Sequence, residues 1–149
     1  MNKLEMLYRQ VIMEHYKNPR NKGLLNDPNY RTLHLKNPSC GDDITIQSKI
    51  NNNNIIDIRQ DGTGCSICCS SASVMTETLK GKTVDNANNI IEDFYRLIKG
   101  EEPLDPDALE EAIVYEGVAK FPARVKCATL AWKAMGAILA GEEGERHEE

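Results

Sequence analysis

The sequence lacks a long hydrophobic run and has no surplus of basic residues. Its apolar stretches fall far short of the roughly 20 residues that a membrane-spanning helix requires, so we expect no membrane insertion. The 149 residues include 18 Lys and Arg against 23 Asp and Glu, which gives a formal charge of −5. A protein that binds nucleic acid needs a basic face to neutralise the phosphate backbone. This charge balance therefore argues against a nucleic-acid partner.

The N-terminus lacks the apolar core of a secretory signal peptide, and we expect a cytoplasmic protein. At the other end, residues 142–149 contain five Glu and one Arg, without apolar periodicity, and are predicted to form a disordered acidic tail. Residues 1–141 show no internal repeat and no linker, so they are predicted to form a single domain. We expect a monomer or a weak dimer.

Hydrophobic periodicity predicts one helix, about three strands and then four helices. Helical spacing over residues 3–17 ends at Asn18-Pro19, and a short strand is predicted over residues 32–36. Alternating apolar residues on both sides of Asn51–Asn54 predict a hairpin. Further helical stripes follow Ser66, Val84, Asp105-Pro106 and Pro122. This order predicts an α+β fold in which a three-stranded antiparallel sheet packs against about five helices.

Five cysteines are present, and an odd number without a signal sequence indicates a reducing compartment rather than a disulfide framework. Cys40, Cys65 and Cys127 each lie beside a predicted turn or helix N-terminus, where a thiolate is stabilised. Asp42, two residues after Cys40, adds a carboxylate. Three thiolates and one carboxylate suit tetrahedral Zn²⁺, and thiolate-rich sites also suit iron–sulfur clusters.

These three cysteines are far apart in the sequence and match no local metal-binding motif. A shared metal site and three thiols buried separately as small hydrophobic groups therefore both remain open. Arg124 and Lys126 precede Cys127. They offset the negative charge of a thiolate site if one forms, and otherwise face water.

The remaining cysteines and the histidines have plainer interpretations. Cys65 and Cys68 form a C-x-x-C sequence, but a thioredoxin-like redox motif requires a βαβ context that the periodicity does not indicate. Cys68 falls on the apolar stripe of its helix and is predicted to belong to the core. Cys69 lies about one turn from Cys65, so packing is its expected role and support of the site the alternative. His15 and His34 are expected at the surface or the core edge rather than as ligands.

The cysteine segments resemble those of the SufU/IscU family of iron–sulfur cluster assembly proteins, the NifU N-terminal-like domain. The matching segments are Asn37–Asp42, Gly62–Ile67 with Ser70–Met75, and Phe121–Ala128, followed by Leu130, Ala131 and Trp132. The opening helix, with Leu7-Tyr8 and His15–Pro19, is also similar to the start of the family. The resemblance covers about residues 4–140, with the segments in the order of the family.

The resemblance is nearer to the SufU branch than to the IscU branch. IscU-type scaffolds carry a histidine immediately before the last cysteine, where this chain has Lys126, and the segment between the second and third cysteines is longer here. The resemblance implies an α+β fold and a zinc site formed by Cys40, Asp42, Cys65 and Cys127, with iron or an iron–sulfur cluster as the alternative occupant.

The resemblance also implies that the protein takes persulfide sulfur from a SufS-type cysteine desulfurase and serves downstream iron–sulfur assembly proteins. The alternative is a scaffold on which an iron–sulfur cluster is assembled and transferred. A thiol oxidoreductase and a purely structural zinc site are the remaining hypotheses.

In sulfur transfer a thiolate attacks the outer sulfur of the donor persulfide, and a metal-bound thiolate is the poorer nucleophile. Cys40 is the predicted acceptor, because a loop flanked by Pro and Gly moves more easily than a helix residue. Cys127 is the alternative acceptor. Arg124 and Lys126 are predicted to balance charge and to steady the anionic sulfur.

Overall fold

The computed structural model describes residues 2–38 and 41–147, with the side chains of all of these except residues 146 and 147. Cys40, the predicted sulfur acceptor, lies outside the described residues. The elements, in chain order, are α1 (Lys3–Lys17), β1 (Arg31–Asn37), β2 (Asp42–Asn51), β3 (Asn54–Thr63), α2 (Ser66–Leu79), α3 (Val84–Ile98), a 3-10 segment (Pro106–Val118), α4 (Pro122–Leu139) and β4 (Gly144–His147).

The predicted hairpin is formed by β2 and β3, which pair antiparallel. Its turn places Asn52 and Asn53 at φ values of +51° and +63°, and asparagine tolerates this left-handed region better than most residues. β1 pairs antiparallel with the other edge of β2. The three strands predicted from alternation therefore lie side by side as expected.

The sheet has a fourth strand, so the prediction of a three-stranded antiparallel sheet is wrong in this respect. The strand order is β3-β2-β1-β4, with β4 parallel to β1. β4 lies within the tail for which the sequence predicts disorder. Arg31 pairs with Glu143 at 3.5 Å and His34 with Glu145 at 3.6 Å. A charged four-residue strand at a sheet edge leaves no periodic signal, because its order depends on the neighbouring strand.

All five predicted helical segments are present, and α2 and α4 pack against the sheet. The segment opened by Asp105-Pro106 is a 3-10 helix interrupted at Glu110, where φ is +52°. Alternating strand residues face the core: Leu33, Leu35, Ile44, Ile46, Ile55 and Ile58. Within the described ranges, no helix combines the length and the apolar content needed to cross a bilayer.

Trp132 of α4 holds three helices together. Its buried ring stacks on Phe94 of α3 with centroids 4.0 Å apart, and its indole N–H donates to Ser71 Oγ of α2 at 3.0 Å. Ser71 Oγ in turn donates to the carbonyl of Ala128 at 2.6 Å. These contacts fix α4 against α2 and so relate the N-terminal turns of the two helices.

Asp93 connects α3 to the loop that precedes the 3-10 segment. Its buried carboxylate accepts hydrogen bonds from the backbone N–H groups of Leu104 and Asp105, both at 2.8 Å, and from Arg96 at 2.7 Å. Burial by itself raises the pKa of this carboxyl, but the hydrogen bonds and the Arg96 charge outweigh burial and lower the pKa.

We expect Asp93→Asn to reduce the free energy of unfolding by about 1–3 kcal/mol at neutral pH, because charge-assisted hydrogen bonds are lost. The native pKa lies below the unfolded value of about 4. The stabilisation is therefore present above the unfolded pKa and is lost as the pH falls through the native pKa. Urea unfolding at pH 7 and near pH 3 measures this, with the exposed neighbour substitution Glu92→Gln as control. If Asp93→Asn lowered the free energy of unfolding by the same amount at both pH values, the lowered pKa of Asp93 would be contradicted.

Candidate functional site

Asp42, Cys65 and Cys127 converge although they are distant in the sequence. A carboxylate oxygen and the two sulfur atoms all lie within 4.8 Å of one another. Asp42 begins β2, Cys65 caps α2, and Cys127 lies in the second turn of α4. The fold therefore brings a carboxylate and two thiols from three separate elements to one point.

Cys65 is the exposed thiol of this group. It is the N-cap of α2, and its sulfur accepts a hydrogen bond from the backbone N–H of Cys68 at 3.4 Å. The structure thus leaves Cys65 accessible, with a backbone N–H of α2 directed at its sulfur.

Asp42 is 2% exposed, and its Oδ1 accepts a hydrogen bond from the Cys65 N–H at 3.1 Å. Two glycines allow this approach. A Cβ added at Gly64 would lie 2.5 Å from Asp42 Oδ1, and one at Gly62, where φ is +149°, would lie 2.0 Å from the Asp43 carbonyl oxygen. In the sequence, these two residues show only as a pair of glycines just before a cysteine, and nothing there indicates that they make room for Asp42.

Cys127 is 7% exposed, and its thiol donates to the Ala123 carbonyl at 3.5 Å. Burial, the hydrogen bond with Asp42 and the charge of Cys65 all raise the pKa of Cys127. A buried carboxylate beside two sulfurs is costly unless a cation compensates it. The donor set therefore fits a thiophilic divalent cation, which lowers the pKa of the thiols that it binds.

Arg124 and Lys126 are exposed at the start of α4. The guanidinium of Arg124 lies 5.1 Å from the centroid of the Phe121 ring, and it hydrogen-bonds to Tyr8 of α1. Burial raises the pKa of Tyr8, the Arg124 contact lowers it, and the charge of Cys65 raises it further. Tyr8 thus lies beside both Arg124 and the thiol site. From the sequence, Tyr8 was notable only because the opening helix is similar to the start of the family.

The two cysteines outside this group differ in burial. Cys68 is fully buried, which confirms the prediction that it belongs to the core, and burial raises the pKa of its thiol. Cys69 is half-buried, and its thiol donates to the Gly64 carbonyl at 3.6 Å.

His15 and His34 do not join the thiol group. His15 is completely buried, against the expectation of a surface or core-edge position, because α2 and the 3-10 segment supply polar partners for both ring nitrogens. Nδ1 lies 2.7 Å from Ser73 Oγ and Nε2 lies 3.3 Å from Glu111. With Glu77, these groups form a second cluster of potential ligand atoms. His34 contacts Asp43 and Glu145 on the sheet.

Comparison with known sequences gives one family and close relatives. Residues 7–128 match the family described as NifU-like N terminal domain. The chain is 47% identical to the zinc-dependent sulfurtransferase SufU of Bacillus subtilis (strain 168), over 95% of each sequence. It is 36% identical to the iron–sulfur cluster assembly scaffold protein IscU of Streptococcus pyogenes serotype M1, over 99% of this chain and 91% of the relative.

Solved structures share the fold. The crystal structure of a hypothetical protein superposes with a TM-score of 0.84 at 37% identity, covering 91% of this chain and 98% of the other. A putative iron–sulfur cluster assembly scaffold protein for the SUF system from Fervidobacterium islandicum AW-1 gives a TM-score of 0.79 at 31% identity, with the same coverage.

We expect Gly64→Ala to weaken zinc binding about 10- to 100-fold, because the added Cβ displaces the carboxylate that supports the site. Competition with a chromophoric chelator measures the affinity. The control is Gly136→Ala, at a helical position with open surroundings. This control should leave zinc affinity unchanged and stabilise the fold by about 1 kcal/mol. Unchanged affinity in a natively folded Gly64→Ala protein would exclude Asp42 from the site.

Proposed function

The chain belongs to the family of NifU-like N terminal domains, and we propose that it is a zinc-dependent sulfurtransferase of iron–sulfur cluster assembly. In this proposal it accepts persulfide sulfur from a SufS-type cysteine desulfurase. The observation that carries the proposal is the convergence of Asp42, Cys65 and Cys127. The 47% identity to a relative named as a zinc-dependent sulfurtransferase supports it.

Cys40, Asp42, Cys65 and Cys127 would hold the zinc ion. When bound, Zn²⁺ supplies positive charge that keeps the thiols deprotonated at neutral pH. Three thiolates and one carboxylate around a divalent ion leave a charge of about −2. Arg124 and Lys126 at the start of α4 offset this excess.

Sulfur transfer would begin when a thiolate of this chain attacks the outer sulfur of the donor persulfide. A new S–S bond forms on the acceptor, the S–S bond of the donor breaks, and the donor cysteine leaves as a thiolate. We propose Cys40 as the acceptor, with Cys127 as the alternative. The 7% exposure of Cys127 favours the first choice, because a protein-bound persulfide must reach the attacking sulfur directly.

Arg124 would steady the anionic sulfur during this step. Its guanidinium contacts the Tyr8 hydroxyl and the Phe121 ring, so α1 and the start of α4 together restrict where its charge lies. A positioned cation beside the attacking and leaving sulfurs stabilises the negative charge that both carry.

The surface next to the site would receive the desulfurase. A groove of about 720 Å³ runs between α1 and the 3-10 segment and ends at Tyr8 and Phe121. Arg9, Lys99 and Lys120 line it together with Glu5 and Glu116, and in the part of the chain that the structure describes none of the three cations forms an ion pair. These free cations, in a chain of net charge −5, suit an acidic surface on the partner.

The second candidate is a scaffold on which an iron–sulfur cluster is built and passed on. The 36% identity to a relative named as a scaffold protein favours it, and the same thiols would serve. IscU-type scaffolds carry a histidine at the position that Lys126 occupies here. Lys126 therefore favours sulfur transfer instead. In either case the products go to downstream iron–sulfur assembly proteins, and the expected monomer or weak dimer stays a prediction.

We expect the wild-type chain to hold about one zinc ion and Asp42→Asn to hold less, because a buried anionic ligand is lost. We also expect Asp42→Asn to lower stimulation of a cysteine desulfurase at least tenfold. Elemental analysis and the rate of alanine formation from cysteine measure the two effects. Asp43→Asn is the matched control, since the Asp43 carboxylate is 39% exposed and pairs with His34. Full stimulation by Asp42→Asn would refute the proposal, and a stable cluster that transfers to an apoprotein would favour the scaffold.

A further inference from the structure

A second group of potential ligand atoms, distinct from the thiol group, lies where α1 packs against α2 and the 3-10 segment. Nε2 of His15, on α1, lies 3.3 Å from a carboxylate oxygen of Glu111 and 4.0 Å from one of Glu77. The three ligand atoms all lie within 4.8 Å of one another. One imidazole and two carboxylates, each from a different element, therefore meet at one point.

His15 presents Nε2 to this point because its other ring nitrogen is held. The ring is completely buried, and Nδ1 lies 2.7 Å from Ser73 Oγ, which also accepts a hydrogen bond from the Arg20 backbone N–H at 2.8 Å. A hydroxyl oxygen can accept two hydrogen bonds, so Ser73 Oγ can take the Nδ1 proton as well. The Nε2 lone pair is then available to a cation, which is the arrangement that metal-binding histidines adopt.

The spacing of these atoms suits coordination of one ion better than direct ion pairing. A charge-assisted hydrogen bond to a carboxylate is about 2.7–2.9 Å long, whereas atoms bound about 2.1 Å from one ion lie about 3.0–3.4 Å apart. The 3.3 Å between His15 Nε2 and Glu111 falls in the second range. The Glu77 side chain is 47% exposed, so a small rotation of it can close the remaining distance.

The local charge also favours a cation. Glu77 and Glu14 share the guanidinium of Arg20, at 3.6 Å and 3.1 Å. In the part of the chain that the structure describes, Glu111 forms an ion pair with His15 alone. When the imidazole is neutral, three carboxylates here face one guanidinium, which leaves a charge of about −2. A divalent cation would neutralise this excess.

We propose that His15, Glu77 and Glu111 form a second cation site, which binds a divalent first-row transition ion such as Mn²⁺ or Fe²⁺. Imidazole suits iron and carboxylates suit manganese, whereas thiolates favour zinc or iron–sulfur clusters. The side chains of Glu77 and Glu111 are 47% and 56% exposed, so an ion can enter from solvent and keep water on its remaining positions. The second site requires no sulfur transfer and is independent of the proposed function.

The test uses Mn²⁺ as the probe, because this ion is paramagnetic and prefers oxygen ligands to thiolates. The wild-type chain is first loaded with one equivalent of Zn²⁺, which fills the thiol site, and is then titrated with Mn²⁺. Electron paramagnetic resonance counts the unbound ion, and electron spin-echo modulation detects a nitrogen atom bound to it. We expect about one Mn²⁺ per chain, with the nitrogen coupling of a single imidazole.

Two substitutions at exposed side chains make the test specific. Glu111→Gln and Glu77→Gln should each weaken Mn²⁺ binding at least about tenfold, because a charged ligand is lost. Asp107→Asn is the matched control, since it removes an exposed carboxylate from the same 3-10 segment and lies outside the cluster. This control should bind Mn²⁺ as the wild type does.

Stability gives a second measurement. The unfolded chain does not bring the three ligands together, so an ion that binds them stabilises the native state. At a Mn²⁺ concentration about 100 times the dissociation constant, we expect the melting temperature of the zinc-loaded wild type to rise by about 5 °C. Under the same conditions the melting temperature of Glu111→Gln should stay constant, and that of Asp107→Asn should rise as in the wild type.

Three results would each exclude a cation site at His15. The zinc-loaded chain could leave Mn²⁺ unbound at millimolar concentration, or the bound Mn²⁺ could lack nitrogen coupling. Glu77→Gln and Glu111→Gln could also bind Mn²⁺ as tightly as Asp107→Asn does, which would place the ion elsewhere. None of these results changes the zinc content or the stimulation of a desulfurase, which are the measurements that test the proposed function.

Discussion

The burial of the Asp42 carboxylate at the start of β2 constrains everything around it. Its Oδ1 is held by the Cys65 N–H at 3.1 Å, and the absence of a side chain at Gly64 makes that approach sterically allowed. A carboxylate placed in this way needs positive charge, and the nearby sulfurs of Cys65 and Cys127 add none. The site is therefore organised for a cation before any chemistry is considered, which is why metal binding and sulfur chemistry share the same atoms.

The core keeps that arrangement in place. Cys127 reaches the site only because α4 is fixed against α2, through the Trp132 hydrogen bond to Ser71 and the stacking of Trp132 on Phe94. Because these contacts are buried and specific, a small shift of α4 would separate the ligand atoms. On the exposed side, Tyr8 and Arg124 leave Cys65 open. The site thus combines a rigid inner half with an accessible sulfur, a combination suited to a thiol that must both bind a metal and react.

The helices could be predicted from the sequence because each one buries a stripe at helical spacing, as Val84–Ile98 does, and ends at Gly or Pro. The hairpin was equally visible, because β2 and β3 alternate on either side of a run of asparagines. β4 was missed, since its order comes from the free edge of β1 and from ion pairs such as Glu145 with His34. His15 was misplaced for a similar reason, because Ser73 and Glu111, which satisfy its ring in the interior, come from other elements.

The sequence by itself determined which residues carry chemistry, since the residue types and their flanking turns identify reactive thiols and a carboxylate, and the three segments indicate the family. Only the tertiary structure decided that Asp42, Cys65 and Cys127 share one point and that Cys69 is half-buried. Adjacent positions on one helix face opposite environments, and ligands on three elements meet only through packing. Periodicity along a chain records neither distance nor accessibility, because both arise from contacts between segments remote in sequence.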